Sequence, residues 1–350
     1  DNDVHEKIDK FCAESRIPNN GTSYNQILEV DPSHLIRMAV GVGFKRARLR
    51  YAYMLLRGKN LKTGKITQDV REENLKIFKE SLDVVTNLNN WHAFMNIFAT
   101  TGYLKGSFVA STNAVVFSYV LYLIGKYDYN VPSLELQKII RKWIFMSTIT
   151  LFYTGSTETE VEKQFADLRD VKTADEFVRY LDSIISNKFT DDYFTYSLPA
   201  ELNSSSATSP AWYGYIAAIN VLGTPMLFST APLSQYLVLG ANGNKNSVDK
   251  HHIFPKNYLE KIGFDNDRDR NQIANFTYLD YQTNIDISDA PPMEYVERYR
   301  NKLGEEAFKL ACEQNALPEN FENMLYQEFL DKRRLLMAQI VKKAYMKLDK

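Results

Sequence analysis

The chain reads as a mainly α protein with a small strand-containing element near its C-terminal third, followed by further helices. Three observations predict this. Apolar residues recur at helical spacing through most of residues 1 to about 235. The segment leading to His251 and His252 reads as the end of a strand, and Pro255, which cannot continue a ladder, supports that end. Helical spacing returns after Asn284. A length of 350 residues suffices for two domains and a large core, and the expected division is a helical domain over 1–238 and a second domain over 239–350.

The elements follow in order. Asp31, Pro32 and Ser33 form a helix start with proline near the first turn, leading into a helix over 34–56. Helical patterns then cover 72–88, 90–99, 112–125, 133–152, 157–168, 174–185 and 212–222. The Ser- and Thr-rich run from Asn203 to Pro210 is a loop, and 240–246 is another. Beyond Asn284, helices are expected over 292–301, 305–314 and 321–348, packing the small element against the larger helical body. There is no internal repeat and no low-complexity segment.

Composition narrows the function classes. A hydrophobic share of 45% and a charged share of 24% are ordinary for a soluble globular protein. With a net charge of −1, any surface for nucleic acid has to be local. Cys12 and Cys312 are too few for a disulfide framework and lack metal spacing, which points to a reducing cytosol. No stretch reaches the roughly 18–20 apolar residues that span a bilayer. Residues 110–124 are too short, and 212–240 is interrupted by Gly223, Pro225 and Pro232. With no signal peptide either, a cytoplasmic protein without a membrane partner is expected. The chain starts at Asp1, which suggests a fragment or a processed product of something longer.

The chemistry concentrates in one place. Five histidines serve the whole chain, and His251 and His252 sit side by side. Asn275 and Asn284 follow, nine residues apart, an interval that fits a strand, a short turn and the first turn of a helix. Hydrolysis of a phosphodiester needs an activated water, a neutralised phosphate and a stabilised leaving oxygen. A divalent metal supplies the last two and a neutral imidazole the first. Adjacent strand residues point to opposite faces, so His251 reads as a metal ligand and His252 as the general base. The plainer reading makes both histidines surface or capping residues and both asparagines turn residues.

His251-His252-Ile253-Phe254-Pro255-Lys256, then Ile273-Ala274-Asn275-Phe276-Thr277, then Asn284, resemble the C-terminal HNH, or ββα-metal, part of GmrSD-type restriction endonucleases. The resemblance implies that His251 and Asn284 hold the metal, that His252 activates water, and that Asn275 holds the loop carrying the base. It further implies Mg²⁺ as the cofactor, with Mn²⁺ or Ni²⁺ as alternatives. It implies a DNA substrate, modified DNA included, in prokaryotic defence; a homo-oligomer is left open. Relatives carry an upstream nucleotide-linked domain marked by Asp-Gly-Gln-Gln-Arg, a motif this sequence lacks, so nucleotide would enter only through a domain outside this chain. Ser107 to Ala114, Trp143 to Ser147 and Tyr153 to Glu158 resemble recurrent helical segments of the same family and read as ordinary helix core and helix ends. The sequence departs from the pattern in one respect: no lysine lies between Ile285 and Met293. The cation for the scissile phosphate is thus open among Lys250, Lys256, Arg270 and Arg298. A rival reading is an HNH-like DNA-binding or regulatory module that no longer cuts, and a third is a helical scaffold.

Other features carry less. Lys45, Arg46, Arg48, Arg50, Arg57, Lys59, Lys62 and Lys65 form a run without an intervening acid. It reads either as a cationic patch for a phosphate backbone, with Lys45, Arg46 and Arg50 foremost, or as a solvated helix face. Lys332, Arg333, Arg334, Lys342 and Lys343 on the last helix read as solvated. The Gly58 to Lys65 segment is not a phosphate loop, since Ile66 stands where Ser or Thr should hold magnesium. Asp265, Asp267 and Asp269 do not open a calcium loop, since Arg270 occupies the glycine position. His5, His34 and His92 lack partners at metal spacing, and Trp91, Trp143 and Trp212 are expected in the core.

Overall fold

The computed structural model describes residues 2–15, 27–239 and 248–350, without the side chains at 238–239 and 248–249. The loop expected over 240–246 lies outside the described residues. Packing divides the chain into two compact units, one of residues 1–100 with 109–187 and one of 101–108 with 188–350.

The first unit holds α1 (Asn2–Glu14), α2 (Pro32–Phe44), α3 (Leu49–Leu56), α4 (Gln68–Val85), α5 (Leu88–Thr100), α6 (Thr112–Tyr127), α7 (Ser133–Ile149), α8 (Thr157–Leu168) and α9 (Ala174–Lys188). Asp31 caps α2 reciprocally. Its carboxylate accepts the His34 N–H at 3.0 Å, and His34 Nδ1 accepts the Asp31 N–H at 3.2 Å. Helix α6 is apolar all round, as a helix buried on every side must be, and packs against α2, α5 and α7. Trp91 meets Tyr119 edge-on at 5.0 Å, and the Trp143 indole N–H donates to the Tyr153 hydroxyl at 3.1 Å. None of the described helices is long and apolar enough to cross a membrane.

The single helix expected over 34–56 is broken. Lys45 turns left-handed at φ 52°, and α3 restarts at Leu49. Glu162 of α8 explains the break, because its carboxylate accepts the N–H groups of Ala47 and Arg48 at 2.8 and 3.3 Å. The connection thus has the acceptors that a continuous helix would have given it.

The second unit holds α10 (Leu198–Glu201), α11 (Pro210–Leu222), α12 (Leu233–Leu239), β1 (Val248–His252), α13 (Lys256–Lys261), α14 (Asp267–Arg270), β2 (Phe276–Asp280), α15 (Tyr281–Ile287), α16 (Pro292–Leu303), α17 (Glu305–Gln314) and α18 (Tyr326–Leu348). Its boundary falls at Lys188 rather than at 239, because α11 packs along α18 and the hydroxyl of Tyr215 reaches the Asn315 carbonyl at 3.1 Å. The helix expected over 321–348 begins as a 3₁₀ turn, Phe321–Asn323, and becomes α-helical only at Tyr326.

Two basic residues of α18 correct the sequence expectation outright. Arg333 and Arg334 are buried, not solvated. Arg333 donates to the Ala274 carbonyl at 2.7 Å, and Arg334 to the Gln272 side chain at 3.1 Å and to Asp331 at 2.7 Å. Ala274 and Gln272, in the segment that leads into β2, thus supply acceptors to the two buried guanidinium groups, and Asp331 of α18 supplies a carboxylate to Arg334.

Candidate active site

Strands β1 and β2 pair antiparallel, with His251 opposite Thr277 and His252 opposite Phe276. Helix α15 follows β2 without an intervening turn. Asp280 ends the strand and caps the helix, its carboxylate accepting the Thr283 N–H at 2.9 Å and the Thr283 hydroxyl at 2.8 Å. Helix α15 packs on both strands. The nine-residue interval therefore turns Asn284 back onto β1.

The result is a direct contact. His251 Nδ1 and Asn284 Oδ1 lie 2.8 Å apart. His251 is 8% exposed, so the pair sits at the edge of the packed interior rather than on open surface. As the amide is drawn, Nδ1 carries the proton and donates it.

His252, the last residue of β1, makes a separate set of contacts. Its ring meets Phe276 edge-on at 4.7 Å, and Nε2 contacts Asn271 Oδ1 at 2.9 Å. An amide oxygen only accepts, so Nε2 carries the proton and the lone pair falls on Nδ1. Burial pushes the imidazole down to about 4, aided by nearby Lys256, His251 and Lys250 and opposed by the bond to Asn271. The ring is therefore neutral at pH 7. Asn271 was not singled out from the sequence; within Asp-Arg-Asn-Gln it looks like any turn asparagine.

Asn275 is fully buried. Its side-chain oxygen accepts the Phe254 N–H at 2.8 Å, and its amide donates to the Phe254 and Arg270 carbonyls at 3.0 and 3.2 Å. Its backbone carbonyl also accepts the Ile253 N–H at 2.8 Å. One residue thus ties the chain just after His252 to the chain just before β2. The clamp extends outward. The Tyr295 hydroxyl donates to the Ile253 carbonyl at 2.7 Å, and the Tyr326 hydroxyl to the Asp269 carbonyl at 2.9 Å. Between α13 and β2 the chain forms the short helix α14, capped by the Asn266 side chain.

The four cations considered for a scissile phosphate separate cleanly. Arg270 is held by Glu260 and Asp267, both at 3.1 Å. Arg298 lies 3.8 Å from Asp286, and Lys256 lies 3.5 Å from Asp267. Lys250 has no acidic partner among the described residues. It stands two residues before His252 on the same strand face, with its ammonium 4.3 Å from the centre of the Phe276 ring. Among the candidates on the basic run, Lys45 pairs with Asp128 and Arg46 with Glu162, whereas Arg50 has no acidic partner among the described residues.

As a metal site, the pair offers one imidazole nitrogen and one amide oxygen. Two donors about 2.1 Å from one ion at a right angle lie about 3.0 Å apart, so the observed spacing suits a chelating pair once Nδ1 gives up its proton. Among the described residues no group of three His, Cys, Asp or Glu side chains could hold a metal. Any ion here would keep several open positions.

No protein-family model matches the chain. Over 247 residues it is 24% identical to an uncharacterized protein of Methanocaldococcus jannaschii, covering 70% of this chain and 38% of that one. The chain therefore spans well under half the length of that relative. No solved structure matches.

Proposed function

We propose that the second unit is an HNH-type, ββα-metal endonuclease element that hydrolyses DNA phosphodiesters with a divalent cation, in the service of restricting foreign or modified DNA. The observation that carries this reading is the meeting of His251 and Asn284 at 2.8 Å across a strand-strand-helix unit, with Asn275 clamping the turn after His252.

His252 is the general base. With Nε2–H held by Asn271, its Nδ1 lone pair takes a proton from the attacking water. A base near 4 is weak, but an approaching phosphate anion favours the charged imidazolium and raises it toward the working range. Lys250 faces the same side and neutralises phosphate charge. His251 and Asn284 would hold the cation, which when bound supplies Lewis-acid stabilisation of the phosphate and the leaving oxygen. Imidazole suits transition ions, whereas Mg²⁺ prefers carboxylates and water. The donor set thus favours Mn²⁺ or Ni²⁺ over Mg²⁺.

Supercoiled plasmid, plain and modified, incubated with each ion and with EDTA tests the reading. Ion-dependent nicking that EDTA abolishes is expected. One observation favours a second reading, a DNA-binding element that no longer cuts: three of the four candidate cations are engaged by carboxylates. Retained DNA binding without nicking under any ion selects it.

A further inference from the structure

The first unit contains a cleft that the site above does not use. It encloses about 550 Å³, within the roughly 300–1,000 Å³ of ligand-binding clefts. Arg37, Arg48 and Arg50 line it, together with Asn113 and the N-terminal residues Ser156 and Thr157 of α8. Arg48 and Arg50 of the basic run, Asn113 at the start of α6 and Gly155 to Thr159 at the start of α8 meet here.

Charge and hydrogen bonding say what the cleft takes. One carboxylate, Glu158, stands against the three guanidinium groups, and it is matched by Arg37 at 3.1 Å. Arg48 reaches only the Thr159 hydroxyl, at 3.4 Å, and Arg50 lies over the Tyr51 ring at 5.3 Å. No side chain caps α8, whose positive dipole end faces the same space. The positive charge also continues beyond the cleft. Along α3 and its trailing turn, Arg57, Lys59, Lys62 and Lys65 have no acidic partner among the described residues. A single small anion would be served by the cleft alone. A row of unmatched cations leading away from it suits an extended polyanion.

We propose that this cleft is a docking site for the phosphate backbone of a nucleic acid, with Arg48 and Arg50 as its contacts. The choice of nucleic acid as the polyanion rests on the DNA-cleaving reading above. Recognition through phosphates alone gives affinity without sequence preference and with steep salt dependence.

The test is fluorescence anisotropy of a labelled duplex with the full chain in EDTA, titrated with salt. Cleavage plays no part in that signal, so failure here leaves the nuclease reading standing, and loss of nicking leaves this one standing. Arg48→Ala/Arg50→Ala should weaken binding equally for unrelated sequences and make the slope of log affinity against log salt shallower by about 1 per arginine removed. Arg48→Lys/Arg50→Lys should restore most of the slope. Arg179→Ala, an exposed arginine outside the cleft, should change neither, with thermal melts confirming that all variants fold. An unchanged slope in the double alanine variant, or an equal loss in Arg179→Ala, overturns the proposal. A competition arm with orthophosphate and AMP separates the sources of phosphate. If either binds the parent but not the variant while duplex binding is unaltered, the cleft is a small-anion site and the backbone proposal fails.

Discussion

His251 and Asn284, thirty-three residues apart in sequence, bring Nδ1 and Oδ1 to 2.8 Å. That contact converts a doubled histidine and a distant asparagine into one chemical unit. If it is a chelating pair, Asn284→Ala should remove divalent-ion binding seen by calorimetry or Mn²⁺ paramagnetic resonance. Asn284→Asp should keep it and shift the preference toward Mg²⁺, because a carboxylate is the harder donor. Equal ion affinity in the parent and Asn284→Ala would remove the pair from the site.

Asn275 braces the turn after His252. Asn275→Ala strands the Phe254 N–H and the Phe254 carbonyl in a fully buried position, while the Arg270 carbonyl keeps the Tyr326 hydroxyl. Leaving buried polar groups unmatched costs about 1–3 kcal/mol each, so for two groups a loss of about 2–6 kcal/mol in denaturant unfolding is expected, together with loss of nicking. Asn275→Asp keeps the acceptor, loses the donors and should sit between.

Asn271 contacts His252 Nε2 at 2.9 Å, and under the proposed function it positions the base. Asn271→Ala should slow nicking by about 10–100-fold, the usual effect of removing a partner that orients an imidazole. Asn271→Asp places a carboxylate against Nε2 and should raise the imidazole, moving the acid limb of the pH–rate profile upward. A residue with only a structural role would lower the rate without moving that limb.

The buried neutral state of His252 has a stability signature. Its imidazole titrates near 4 when folded and near about 6.5 when unfolded. Between those values the unfolded chain holds a proton that the folded chain lacks, so stability rises with pH across this window and is full above it. In EDTA, the parent should lose more stability than His252→Gln when pH drops from 7.5 to 4.5. Parallel pH dependence in the two proteins would show that His252 is not held neutral by the fold.

The strands and helix that carry the candidate residues were legible because their signal is residue type at fixed spacing. His251, His252, Asn275 and Asn284 needed only a strand end, a strand and a helix turn between them, and the structure supplies those elements. Helices such as Thr157–Leu168 and Glu305–Gln314 were legible because their apolar residues recur at helical spacing. What escaped depends on partners far off in sequence. The break at Lys45 hangs on Glu162. Arg333 and Arg334 look solvated in a linear reading, and the acceptors for their buried guanidinium groups include Ala274 and Gln272, some sixty residues away in the segment before β2. Asn271 could have been found only by asking what fixes the tautomer of a base at His252.

The most direct measurement is the rate of plasmid nicking by His252→Ala beside the parent, with Mn²⁺ present and folding verified by thermal melting. The account predicts a parent that nicks and a folded variant that does not. A variant that nicks at the parent's rate would contradict it.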